Sequence, residues 1–227
     1  MNKTHPLLHA LIYGRFSLLL FFLVLMFLVL PLVPVDRSTL NKTFDFLGLV
    51  IILSCLRGIT TNRRFFIFMV LLSIVNVMLG GGALLLTDIP SIRVIGLFFR
   101  LFYYLLVFVS IMRYVVDETP ITSDKLAGAL SSYILIGIIW TFIYSLFFLS
   151  DPSSFHFSKS TISQSHNWVL YFSFTTLTTL GYGDIAPNSA AVQNYSVIEA
   201  LFGQVFLAVV IARLVSLQIL HKTSEKK

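Results

Sequence analysis

Few residues of this 227-residue chain carry a charge: 16 Lys and Arg and 10 Asp and Glu, 11% of the sequence. A soluble domain needs a charged surface, so this scarcity, with 57% apolar residues and a strongly positive mean hydropathy, excludes one and points to an integral membrane protein. Cysteine is scarcer still. The single one, Cys55, excludes an intrachain disulfide and a multi-cysteine metal site, and reads as a packing residue within an apolar run. Histidine is sparse and scattered. His5, His9, His156, His166 and His221 have no metal-ligand partner at helical spacing and no nucleophile-base pattern, so an enzyme is not expected.

Apolar runs fill the space. A bilayer's hydrocarbon core takes about 20 apolar residues of helix to cross. Phe16 to Val35, Phe65 to Leu86 and Leu126 to Leu149 contain no charge, whereas Ile92 to Val116 carries Arg93, Arg100 and Arg113. Tyr195 to Leu220 holds Glu199 near its start and Arg213 near its end. Asp45 to Arg57 is short between its two charges and spans only by borrowing from Leu40 to Ile59. The first run resembles a signal peptide in following Lys3 and Arg15, but it is longer than a usual apolar signal core and Pro31 to Pro34 lacks the small-residue cleavage pattern. The expected fold is an all-α membrane protein of six transmembrane helices.

Positive charge is retained on the cytoplasmic side. With both termini cytoplasmic, Lys3, Arg15, Arg57, Arg63, Arg64, Arg113, Lys125, Arg213, Lys222, Lys226 and Lys227 fall inside, against Arg37, Lys42, Arg93 and Lys159 outside. Basic residues at membrane ends meet anionic lipid, so the formal charge of +6 implies no nucleic-acid partner.

Asp117 to Pro120 with Thr122-Ser123-Asp124 forms a polar break suited to capping the fifth helix. It divides a four-helix peripheral module, residues 1–118, from a second unit, residues 119–227. In that second unit, Ser150 to Asn167 is polar, and Trp168 to Thr178 is apolar and aromatic but too short to cross. It is expected to dip into the membrane and return.

The stretch TTLTTLGYGDIAP, Thr175 to Pro187, follows directly. Non-helical backbone at membrane depth is tolerated only when buried in protein or lining a watery cavity. Aiming successive carbonyls one way requires neighbouring residues to alternate between opposite-handed backbone regions, and glycine enters positive φ with little penalty. Gly181 and Gly183 supply that freedom. Carbonyl oxygens, with the Thr179 hydroxyl below them, can replace the hydration shell of a monovalent cation.

Thr176 to Asp184 resembles the potassium-channel signature TxxTxGYGD, and residues 123–221 are similar to the pore domain of that superfamily: helix, short re-entrant pore helix, filter, helix. The resemblance implies a homotetramer. Thr179, Leu180, Gly181, Tyr182 and Gly183 would form the selectivity filter, with K+ held at Thr179, Leu180, Gly181 and Tyr182. Tyr182 would pack against pore-helix aromatics, for which Tyr171 and Phe172 are the candidates, and Asp184 would sit at the outer mouth.

Two departures bear on the filter. Leu180 stands where Val is commonest, which alters packing behind the filter more than the ligand set. Thr175 stands where some relatives place a glutamate bonded to the filter aspartate, so that support is absent or weaker. The resemblance also implies that the pore helix directs its partly negative C-terminal end at the cavity below the filter.

In the sixth run Gly203 is a candidate gating hinge, or equally a small residue that lets helices approach closely. Glu199 either supports the filter from behind or is solvated near the interface. Gly80 to Gly82 is expected to loosen or end the third span.

Arg93, Arg100 and Arg113 are spaced by seven and thirteen rather than three, and the first three spans offer Arg100 no acidic partner deep in the membrane. Weak or no voltage sensing is therefore expected. No ligand-binding domain fits into His221 to Lys227, which leaves gating at the filter, by lipid or tension, or by a separate regulatory subunit.

The implied function is passive, K+-selective conduction. A weakly selective cation channel and a non-conducting regulatory subunit are the alternatives. K+ is the permeant ion and no organic cofactor is expected; the compact build suggests a bacterial plasma membrane.

Overall fold

In lipid every backbone polar group needs an internal partner, so apolar runs of this length fold as helices. The computed structural model describes residues 16–29, 42–48, 50–51, 63–86, 90–117, 122–158 and 167–212. Cys55, the ends of the first two expected spans and the stretch from Arg213 onward lie outside them.

The described helices are α1 (Ser17–Val29), α2 (Arg63–Leu86), α3 (Pro90–Val116), α4 (Ser123–Ser150), α5 (Trp168–Leu177) and α6 (Ala190–Val205). Residues 42–48 and 50–51 are helical as well. A π-helical segment, Phe206–Ile211, continues α6. Three helices among the described residues are long and apolar enough to cross a membrane: Ser91–Val116 of α3, α4, and Ala190–Val210 of α6 with its continuation. Shorter apolar helices are α1, Ile67–Met78 of α2, and α5. The chain is thus a mostly helical membrane protein.

Caps explain the helix ends. Thr122 accepts a hydrogen bond from the Lys125 amide at 3.3 Å and starts α4. Its neighbour Asp124 turns away from α4 and accepts the amides of Phe16 and Ser17 at 2.8 and 3.3 Å, placing a carboxylate at the start of α1. The Lys125 ammonium donates to the Asp117 carbonyl at 2.7 Å, past the last turn of α3, where cations are favoured. The polar break thus ties together three helix ends.

Two cores form. The larger joins Phe16, Leu19 and Leu23 of α1, Phe44, Leu47 and Ile51, Tyr104 and Ile111 of α3, and Leu135, Ile138 and Phe142 of α4, so it runs across the expected boundary at residue 118. The second is aromatic. It packs Trp140 and Tyr144 of α4 with Trp168 and Phe172 of α5, Phe155, and Phe206.

Two expectations are corrected. Gly80 to Gly82 does not end α2, which stays helical to Leu86; flanking helical turns supply the hydrogen bonds that offset the cost of glycine. In the polar stretch after α4, on which no structural expectation was placed, β1 (Phe155–Phe157) pairs antiparallel with β2 (Ile185–Pro187) in the register Phe155 to Pro187 and Phe157 to Ile185. Arg100 does have an acidic partner. Its guanidinium donates to Asp45 Oδ1 at 2.9 Å, with both residues buried. Asp45 reads in sequence as the edge of a short run, and only the packing of residues 42–48 beside α3 brings it inward.

Breaking a buried pair by removing one partner leaves an uncompensated charge. Arg100→Leu is therefore expected to cost about 3–5 kcal/mol, seen as a lower unfolding midpoint in detergent. Adding Asp45→Asn should recover most of that loss.

Candidate functional site

The ten-residue helix α5 is about 15 Å long, half of a bilayer core. At its end the Thr178 amide still reaches the Phe174 carbonyl at 3.1 Å, and the Thr179 amide tightens onto Thr176 at 2.9 Å. The backbone then leaves helical geometry. Threonine hydroxyls ease the exit, with Thr175 and Thr176 donating back to the Phe172 carbonyl at 3.0 and 2.8 Å and Thr178 to Phe174 at 2.6 Å.

Beyond Thr178 the handedness alternates. Thr179, Gly181 and Gly183 have φ of 59°, 51° and 76°, while Leu180 and Tyr182 stay at negative φ. The glycines match the sequence reading. Thr179 does not announce itself, since β-branched residues rarely adopt this region. One tether suspends the turn from the helix: the Gly181 amide donates to the Thr175 carbonyl at 3.1 Å. Among the described residues no hydrogen bond ends on the carbonyls of Thr179, Leu180, Gly181 or Tyr182. These oxygens remain available as ligands.

The outer end is held by side chains. Tyr171 donates its phenol to Asp184 Oδ2 at 2.8 Å, and its ring lies 6.4 Å from that of Tyr182 with an interplanar angle of 3°. A phenol keeps its proton at neutral pH, so Tyr171 is the donor in this bond. Asp184 also takes the Ile185 amide on Oδ1 at 3.1 Å, and its carbonyl takes the Ser158 amide at 2.9 Å, joining the turn to the ribbon. The support that a residue at position 175 does not give to Asp184 comes from Tyr171. Phe172 faces elsewhere, its ring 5.0 Å from Tyr144 and 5.3 Å from Phe155.

Gly203 is buried, and a Cβ added there would run into the carbonyl of Leu177, the last residue of α5. This is the close approach that a small residue permits. Glu199 lies one turn earlier on α6 with no exposure to solvent. Interfacial solvation does not hold it; it accepts the Tyr144 hydroxyl at 2.6 Å and the Ser173 hydroxyl at 2.6 Å. Sequence reading missed Ser173 and Tyr144. Their only signal was a hydroxyl in each apolar run.

Within one chain the turn is open, with Leu180 55% and Tyr182 68% exposed. Val197, Leu201, Val205 and Val209, four residues apart along α6 and its continuation, form an exposed apolar stripe.

A family model described as "Ion channel" matches residues 101–218, more than half of the chain. Two-pore potassium channel 3 of Arabidopsis thaliana is 39% identical over 57 residues, covering 24% of this chain and 13% of that protein. The match therefore spans only a small part of that relative's length. No solved structure matches.

Tyr171→Phe keeps the ring stack and removes the bond to Asp184, an expected loss of about 1–2 kcal/mol at the outer end of the turn. Amide exchange at Gly183 and Asp184 in the purified protein should rise roughly tenfold while α4 exchanges as before.

Proposed function

Since the chain belongs to the ion-channel family that matches residues 101–218, within the potassium-channel superfamily, we propose that it conducts K+ passively across a membrane as a homotetramer. The alternation of φ at Thr179, Gly181 and Gly183 carries this reading. It is the conformation required for carbonyls that face one axis, and their oxygens accept no hydrogen bond among the described residues. Four such strands around an axis replace the hydration shell of K+ at Thr179, Leu180, Gly181 and Tyr182, a task one strand cannot perform. The exposure of Leu180, Tyr182 and the α6 stripe fits surfaces awaiting neighbouring copies.

On this reading α5 is a re-entrant pore helix with Thr175, Tyr171 and Asp184 as filter support, and Phe172 packs away from the filter on Tyr144 and Phe155. The segments before residue 118 make four spans of a six-span subunit with cytoplasmic termini, in a bacterial plasma membrane. Moving one charge through the field supplies about 2.3 kcal/mol per 100 mV, and steep sensing takes three or four charges per subunit. Arg100 is one buried arginine and is held by Asp45, so voltage sensing is weak or absent. Lipid or a separate subunit is the fitting source of a gating signal.

The test is ion flux from the purified chain in liposomes under K+ or Na+ gradients. Flux of K+ well above Na+, abolished by Gly181→Ala because a Cβ strains φ near +51°, is the expected result. Equal flux of both ions would favour a weakly selective cation channel. No flux would favour a regulatory subunit.

A further inference from the structure

The inner helix α6 meets the pore helix α5 at two points spaced one turn apart on each: Glu199 with Ser173, and Gly203 with Leu177. We propose that Glu199 is a positioning residue for conduction, clamping α5 to α4 and α6 and so holding the Thr175 carbonyl from which the filter hangs. The inference rests on the channel reading above.

The geometry is specific. Glu199, Ser173 and Tyr144 are all fully buried. Each carboxyl oxygen accepts one hydroxyl, Oε1 from Ser173 on α5 and Oε2 from Tyr144 on α4, so one side chain of α6 bonds to both other helices of the pore unit. A carboxyl at this depth is costly, and mere packing would be met by leucine. Ser173 is two residues before Thr175, whose carbonyl receives the Gly181 amide at 3.1 Å. A shift of α6 relative to α5 therefore reaches the filter through two hydrogen bonds and half a turn of helix. At Gly203 the same helices touch backbone to backbone, which blocks independent sliding.

Glutamine separates this role from simple filling of space. Its carbonyl can accept from Tyr144 while its amide donates to the Ser173 hydroxyl, which turns to the Gly137 carbonyl 2.8 Å away. Valine fills much of the volume and makes neither bond.

The full chain, reconstituted in liposomes and planar bilayers, is compared as wild type, Glu199→Gln, Glu199→Val, Ser173→Ala and Tyr144→Phe, reading the K+ over Na+ permeability ratio and the open lifetime. Glu199→Gln is expected to stay within about twofold of wild type, while Ser173→Ala and Tyr144→Phe, each losing one strong hydrogen bond, lower the ratio or lifetime about tenfold, and Glu199→Val, losing both, lowers it at least as far. Should Glu199→Val fail to assemble, Ser173→Ala and Tyr144→Phe, which each remove a single hydroxyl group or oxygen, decide the question. Wild-type behaviour of the assembled Val and Ala variants overturns the inference alone, as does equal damage by Gln and Val. Absence of K+ flux from the wild-type chain overturns the channel reading and this inference with it.

Discussion

Backbone that leaves helical geometry inside a membrane protein must find other partners for its amides, and the segment after Leu177 depends on this constraint more than any other. Three of its amides turn inward: Thr178 to Phe174, Thr179 to Thr176, Gly181 to Thr175. Its carbonyls are left over. An arrangement that satisfies donors from the parent helix and frees successive acceptors is unfavourable in a closed core and useful only where something positive or aqueous occupies the other side. The alternating φ values make this possible.

The surrounding structure keeps that unfavourable segment in place. The ribbon and the Asn188 amide anchor its far end to residues 153–158, Tyr171 ties Asp184 to the first turn of α5, and Glu199 fixes the helix from behind. Rigidity matters because a cation is distinguished by the cost of moving its ligands as well as by the ligands themselves. The aromatic core contributes to the same end. Phe148, Phe155 and Trp168 meet at ring separations of 4.8 to 6.3 Å in edge-on contacts, which give a stiff collar around the start of α5.

How much of this was legible in sequence depended on how local the cause was. Gly181, Gly183 and the shortness of Trp168 to Thr178 are written in adjacent residues, because glycine and run length act locally. The helices α3 and α4 were legible for the same reason. Thr179 was not visible as a left-handed residue, since its side chain argues against that conformation. Arg100 with Asp45, 55 positions apart, and Glu199 with Ser173 and Tyr144, 26 and 55 apart, depend on which helices pack together, a fact no local pattern contains. The ribbon escaped notice because three-residue strands lack a period to detect.

Gly203 shows how the structure changes the meaning of a residue that sequence had left open. A hinge needs free space on at least one side, and here the backbone of α6 rests on the end of α5, so bending at Gly203 would push or pull Leu177 directly. Three residues later the π-helical segment Phe206–Ile211 begins, where one extra residue per turn loosens the hydrogen-bond ladder. Any bend of α6 thus has a softer place to occur beyond the contact than at it. The part of α6 before it is bonded to α5 through Glu199 and packed on it at Gly203.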